Sequence, residues 1–236
     1  MEIKVGCCGF PTAKERYFKN FDVVEIQQTF YQPPEIKTAT KWRELAPEDF
    51  EFTLKAWQLI THEPKSPTYR KLGSPIPESK KKNYGGFKPT EDVFKAWEKT
   101  EEIARKLKAK YIIFQSPVSF QPTSENKNNM KKFFKKIKRK NYILTWEPRG
   151  KWESNDLKSL SEELGLLICL DPFKTEPFPQ KTSYFRLHGK EGYRYKYTDS
   201  DLRFLKDIYE DYQEVHVMFN NVYMFDDALR FKKLIT

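Results

Sequence analysis

Short runs of apolar and β-branched residues recur along the chain at strand length: IKVGCC (3–8), VVEIQ (23–27), FEFTLKA (50–56), YIIFQ (111–115), YILTWE (142–147), LLICLD (166–171), SYFRLHG (183–189) and EVHVMFN (214–220). Between most of them the apolar positions change to a spacing near 3.6, which predicts helices over 91–107, 130–138, 155–164, 199–209 and 226–234. In the first of these Val93, Phe94, Trp97, Ile103, Ala104 and Leu107 form the stripe; in the second, Met130, Phe133, Phe134 and Ile137 do. The chain therefore reads as a strand–helix alternation repeated eight times.

The runs at 111–114 and 166–170 are almost continuously apolar, as parallel strands covered on both faces are. Eight such units, with no glycine-rich phosphate loop after the first strand, predict an α/β fold of one TIM-type (β/α)8 barrel domain over residues 1–236. One connection is long. Residues 62–90, rich in Pro, Ser and Lys, follow the third strand, and loops after barrel strands emerge on the face where chemistry occurs. This predicts a lid or side wall over the barrel mouth, with Gly85 and Gly86 as a hinge and Tyr69, Tyr84 and Phe87 as anchors.

Polar residues gather at the carboxyl ends of these runs: Glu25 and Gln27 with Tyr31 just beyond, Lys55 leading to His62, Gln115, Glu147 followed by Arg149, Asp171, Arg186 with His188, and Asn220 with Asn221. Charged groups inside strands are costly to bury unless paired, so such a ring marks a site. Glu25 with Lys55 also fits a structural ion pair, Asp171 before Pro172 a turn, and His62 an exposed loop histidine. His216, in mid-strand, reads as a satisfied or surface histidine. His188 follows Arg186 on the same strand face and precedes Gly189, which favours function.

Composition changes the picture in three ways. Aromatic residues make up 16% of the chain and charged residues 32%, which fits a bulky folded core rather than disorder. The three cysteines, Cys7, Cys8 and Cys169, all lie in apolar runs, so a reducing, cytoplasmic setting is expected. No run approaches the roughly 18 apolar residues of a membrane span, and no membrane partner is expected. The net charge of +10, mostly lysine, fits either an anionic partner, a small molecule or nucleic acid, or adaptation to heat. Lys80, Lys81 and Lys82 beside Tyr84 and Phe87 are the better nucleic-acid candidate. The seven cations at Lys131, Lys132, Lys135, Lys136, Lys138, Arg139 and Lys140 read as the solvated face of a helix from Met130 to Lys140.

The segments FDVVEIQQTFYQPP, FEFTLKAWQLITHE, IIFQSPVSF, TWEPRGKW, YFRLHG and VMFNN, in that order, resemble the YecE-like family, domain of unknown function 72 (DUF72). The resemblance covers essentially the whole chain. It implies a (β/α)8 barrel, and family-typical positions at Glu25, Phe30, Tyr31, Lys55, His62, Gln115, Pro117, Glu147, Arg149, Trp152, Arg186, His188, Gly189, Asn220 and Asn221. It implies no settled reaction. Where Cys7 and Cys8 stand, the family usually carries hydroxyl residues, which argues against a catalytic hydroxyl there.

Serine-esterase, Walker, zincin and paired Cys-x-x-Cys motifs are absent from the sequence. Three chemistries fit the ring: a divalent metal held by carboxylates and His188; metal-free acid–base catalysis; and binding of an anion without turnover. The first expectation is a hydrolase of phosphorylated or nucleic-acid substrates, phosphodiesterase- or nuclease-like. Glu25, Lys55, Glu147 and His188 would be catalytic, and Tyr31, His62, Gln115, Arg149, Trp152, Asp171, Arg186 and Asn220 would bind substrate. The alternatives are a non-catalytic binder of anionic ligands and a barrel enzyme for an uncharged small molecule.

Overall fold

The computed structural model describes residues 2–176, 178, 180–209 and 212–236. Strands β1 (Glu2–Cys8), β2 (Val23–Ile26), β3 (Glu51–Lys55), β4 (Tyr111–Gln115), β5 (Ile143–Glu147), β6 (Leu167–Leu170), β7 (Thr182–Leu187) and β8 (Glu214–Phe219) pair in sequence order, all parallel. β8 returns to β1, with Glu2 opposite Glu214 and Cys7 opposite Phe219, so the barrel is closed. Gly6 lets β1 lie close against β2: a Cβ there would stand 2.2 Å from the Val23 carbonyl oxygen.

Helices α1 (Lys14–Phe18), α2 (Gln28–Tyr31), α3 (Ile36–Leu45), α4 (Gln58–Thr61), α5 (Glu91–Leu107), α6 (Ser124–Lys136), α7 (Ser154–Leu164), α8 (Asp199–Tyr209) and α9 (Met224–Ile235) connect the strands. Strand periodicity splits the apolar residues in two. Cys8, Val23, Tyr111, Ile113, Cys169, Tyr184 and Met218 form one cluster. The alternate positions Val24, Phe52, Ile112, Phe114, Trp146, Phe185 and Val217 join the larger cluster with the helices. Among the described residues no helix is long and apolar enough to cross a membrane.

The structure corrects several of these expectations. The alternation is incomplete: the described residues between β6 and β7 form a turn, with Lys174 and Thr175 N–H groups donating to the Asp171 carbonyl, in a stretch crowded with prolines. The helix expected over 130–138 starts earlier, where the Thr123 side chain caps Asn126 N–H, and stops at Lys136 because Ile137 is extended. Lys138, Arg139 and Lys140 therefore lie beyond it, and much of the basic face is tied to its neighbours. Lys131 and Lys135 pair with Glu163, Lys140 with Glu101, and Lys136 lies over the Phe94 ring.

The glycines at 85 and 86 are not free to hinge. The N–H groups of Gly85, Gly86 and Phe87 donate to the carbonyls of Leu59, Thr61 and Ile60, and a Cβ on Gly85 would stand 2.4 Å from the His62 carbonyl oxygen. Phe87 itself is fully buried among Phe114, Phe120, Phe133 and Phe134. Lys80 pairs with Asp92 and Lys81 with Glu78.

At the amino-terminal end of the barrel His216 is fully buried, paired through Nε2 with Glu51 at 2.6 Å and stacked on Tyr184, so it is not a surface residue. Lys4 also reaches Glu51, at 2.6 Å, and Glu214 accepts from Tyr111 and Lys110. Burial alone would push the Glu51 carboxyl up, but His216 and Lys4 hold it down to about 2. A depressed carboxylate contributes stability that is present above its unfolded pKa and lost as pH falls through its folded one. Glu51 should therefore give up stability on the order of 3 kcal/mol between about pH 4.5 and 2. Denaturant melts of the protein and of Glu51→Gln should show a shallower acid slope in the variant. An unchanged slope would contradict this pairing.

Candidate active site

The carboxyl end of the barrel opens into a cavity of about 760 Å³. Its floor is built on β7. Arg186, 1% exposed, alternates with Leu187, so its side chain and that of His188 take the inner face while Leu187 enters the outer cluster. Arg186 bridges two carboxylates. Its Nε and Nη2 donate to Glu25 at 3.0 and 2.9 Å, and its Nη1 donates to Glu147. Glu25 also accepts from the Tyr184 hydroxyl at 2.9 Å and from Gln27.

Glu147, from the end of β5, spends its second oxygen on Arg149. Burial works to raise its carboxyl pKa, but Arg186, Arg149, His188 and Lys55 hold it well below the usual carboxylate range. Both acids expected as catalytic bases are thus partners of arginine, and neither lines the cavity. Among the described residues no Asp or Glu does. The cavity wall carries four cations, Lys55, Lys71, Arg149 and Arg186, together with amides, hydroxyls and two histidines.

Lys55 ends β3 with 5% exposure. Its Nζ donates to Gln115 Oε1 from β4 and lies 3.6 Å over the Phe30 ring. Burial, with Arg186 and Arg149 nearby, pulls its pKa down to about 7 despite Glu147 and Glu25. His62 lies edge-on to the same Phe30 ring and shares a 2.8 Å hydrogen bond with Thr61 through Nδ1. Burial and Lys55 push its pKa down to about 3, so it is neutral.

His188 is positioned by Asp171, whose Oδ2 accepts from the His188 backbone N–H at 3.1 Å and faces Nδ1 at 3.7 Å. Nε2 sits 2.6 Å from Arg149 Nη2. An arginine can only donate, which puts the imidazole proton on Nδ1. Burial lowers the His188 pKa, and Arg186 and Arg149 add to this against Asp171 and Glu147.

Tyr31 and Asn220 line the same cavity, and Lys71 lies over the Tyr31 ring at 4.2 Å. Ser66, Thr68 and Lys71, from the first part of the 62–90 segment, form a side wall. Lys80, Lys81 and Lys82 are not part of the lining. Trp152 does not reach the mouth: its Nε1 donates to the Phe120 carbonyl and its ring packs on Trp146 and Phe120, beside a separate cavity that Asp171 also lines. Nor does Gly189 serve a ligand's approach. Its φ of +79° and the Gly192 carbonyl 2.2 Å from where a Cβ would stand show a turn constraint.

Sequence reasoning missed Tyr184 and Lys71. Tyr184 lies two residues before Arg186 on the same strand face, a signal the period of two carries. Lys71 comes from an irregular segment and has none.

The chain matches the family described as "Protein of unknown function DUF72" over residues 12–236. It belongs to the DUF72 family. Solved DUF72 structures from Thermotoga maritima MSB8 and Enterococcus faecalis V583 are 21% and 20% identical to it, with TM-scores of 0.71 and 0.72. The alignment covers 100% of this chain and 99% of the first, and 99% of this chain and 97% of the second. A D-psicose 3-epimerase structure is similar at 13% identity, TM-score 0.61, over 99% of this chain and 98% of that one. At that identity the likeness is one of fold, and the DUF72 chain shares the TIM-barrel architecture with such epimerases and isomerases. No curated protein matches.

A divalent metal was one of the chemistries open from sequence. Glu25 and Glu147, the carboxylates it would need, accept from arginines, and among the described residues no group of three or more His, Cys, Asp or Glu side chains is placed to hold an ion. This donor set does not fit a metal. Cys8 also borders the cavity, but burial, and Glu25 nearby, raise its thiol pKa well above the ordinary value, so it is no ready nucleophile.

Proposed function

We propose that the protein is an enzyme acting on a phosphorylated small molecule held in the barrel mouth, with proton transfer carried by Lys55 and His188. The observation that carries this reading is the cavity's charge: among the described residues its wall has four cations and no carboxylate. Arginine forks and lysines in a desolvated cleft are suited to phosphate oxygens. Arg149, whose Nε is buried without a hydrogen-bond partner, is one of the lining residues.

Binding and activation are linked in this reading. A phosphate that draws Arg149 Nη2 away from His188 frees the Nε2 lone pair, so the imidazole becomes a base once substrate is seated. Phosphoester cleavage would use this base to direct water, since both glutamates are taken. A small ligand is favoured over a polynucleotide because Lys80, Lys81 and Lys82 do not line the mouth, and Lys80 and Lys81 pair with Asp92 and Glu78.

Calorimetric titration with fructose 6-phosphate, fructose and inorganic phosphate tests the reading. The phosphorylated sugar and phosphate should bind, and fructose should bind at least about tenfold more weakly. Affinity should fall as salt rises, and Lys71→Ala should weaken it severalfold. Equal affinity for the two sugars, or no phosphate binding at low salt, would overturn the proposal.

A further inference from the structure

We propose that Lys55 is a carbonyl-capturing nucleophile that forms an imine with a phosphorylated aldehyde or ketone bound in the mouth. The inference rests on the reading above and names the group on which the substrate reacts. Its basis is how the cations of the site are partnered. Arg186 claims Glu25 and Glu147, and Arg149 takes the remaining oxygen of Glu147. Among the described residues Lys55 has no carboxylate ion pair. Its Nζ meets only a neutral amide oxygen, Gln115 Oε1, and the face of Phe30.

A structural lysine buried to 5% exposure would be expected to hold a carboxylate, because an unpaired buried ammonium is costly. Here the two available acids are committed to arginines, and those arginines repel a second positive charge. A desolvated lysine beside other cations is the setting in which an amine becomes nucleophilic near neutral pH. With its pKa pulled down to about 7, its free-amine fraction at pH 7 is about a thousandfold that of an ordinary lysine.

The surroundings also suit the product. The ammonium first releases a proton to solvent, as its depressed pKa allows near pH 7. The Nζ lone pair then attacks the carbonyl carbon, a C–N bond forms, and the carbonyl π pair moves to oxygen, which is protonated to give a carbinolamine. Loss of that oxygen as water forms the C=N bond. The net change is ammonium plus carbonyl for protonated imine plus water, with charge conserved and no co-reactant. The iminium keeps one N–H for Gln115 Oε1 and a positive charge for the Phe30 face.

Trapping with borohydride tests the inference directly. Borohydride delivers hydride to the iminium carbon and leaves a stable secondary amine on the lysine. The protein is treated at pH 7 with dihydroxyacetone phosphate, with dihydroxyacetone, or with neither, then reduced, and adducts are mapped by peptide mass spectrometry. Lys55 should carry the phosphorylated adduct at least tenfold above any other lysine. Inorganic phosphate should protect it, and Lys55→Met should lose the adduct. Mapping the wild-type protein reads the result even if that variant fails to fold.

If fructose 6-phosphate binds calorimetrically but Lys55 is labelled no more than surface lysines by dihydroxyacetone phosphate or by glyceraldehyde 3-phosphate, the imine proposal is overturned and the phosphate reading stands. If Lys55 is labelled selectively and equally by dihydroxyacetone, the imine proposal stands and the phosphate reading falls.

Discussion

Replacing Arg186 by Met is expected to cost about 5 kcal/mol of folding stability, comparable with the whole stability of many domains. The guanidinium is the partner of two buried carboxylates, Glu25 and Glu147, and removing one member of a buried pair typically costs 3–5 kcal/mol because the remaining charge is left in a dry site. Arg149 stays beside Glu147, so Glu25 suffers most. Denaturant melts at pH 8 and pH 5 supply a signature that simple loss of packing would not.

In the native protein Glu147 is held below the ordinary carboxylate range, so its contribution disappears as pH falls. In Arg186→Met the stranded acids should have raised folded pKa values. Their penalty is then relieved as pH falls, and the variant should be more stable at pH 5 than at pH 8. Adding Glu25→Gln should recover part of the loss at pH 8. A variant as stable as the native protein, with the native acid slope, would show that the bridge does not hold the mouth together.

Lys55→Met is expected to lower turnover of a phosphorylated substrate by 10²-fold or more, on the scale of a lost proton-transfer group, while phosphate binding weakens only modestly. Lys55→Arg should not rescue turnover, because a guanidinium stays protonated and cannot act as base or nucleophile. The native kcat/KM should rise with pH through about 7, as Lys55 loses its proton, and that limb should vanish in Lys55→Met. In Lys55→Met, turnover should fall while stability at pH 6 rises.

A lysine whose folded pKa is depressed leaves the unfolded chain binding more protons between about pH 7 and 10.4, so the native protein gains stability as pH rises through that window. Methionine removes the penalty, and Tm at pH 6 should rise. A Tm that falls at pH 6, with turnover retained, would sink the assignment of Lys55.

Much of this architecture follows from local sequence. Each strand is legible because a buried parallel strand must be apolar on both faces; the runs ending at Gln115 and Glu147 match the structure at that end, and the run over 50–56 ends one residue past Lys55. The period of two then places Arg186 with His188, and a barrel sends strand ends to one mouth. Between β6 and β7 the described residues form a turn, which the alternation elsewhere does not reveal. Trp152 enters the expected site through the family resemblance alone, and its ring instead packs on Phe120 and Trp146.

What only the closed barrel decided is partnership. Glu25, Lys55, Glu147 and Arg186 are equivalent in sequence, each a charge at a strand end, and Glu25 with Lys55 was as plausible a pair as any. Strand stagger and side-chain reach give both acids to Arg186 and leave Lys55 with an amide and a ring. Periodicity fixes which face a side chain takes. Whether it meets an opposite charge, and so whether its proton is held or released near neutral pH, depends on distances and burial between strands far apart in the chain.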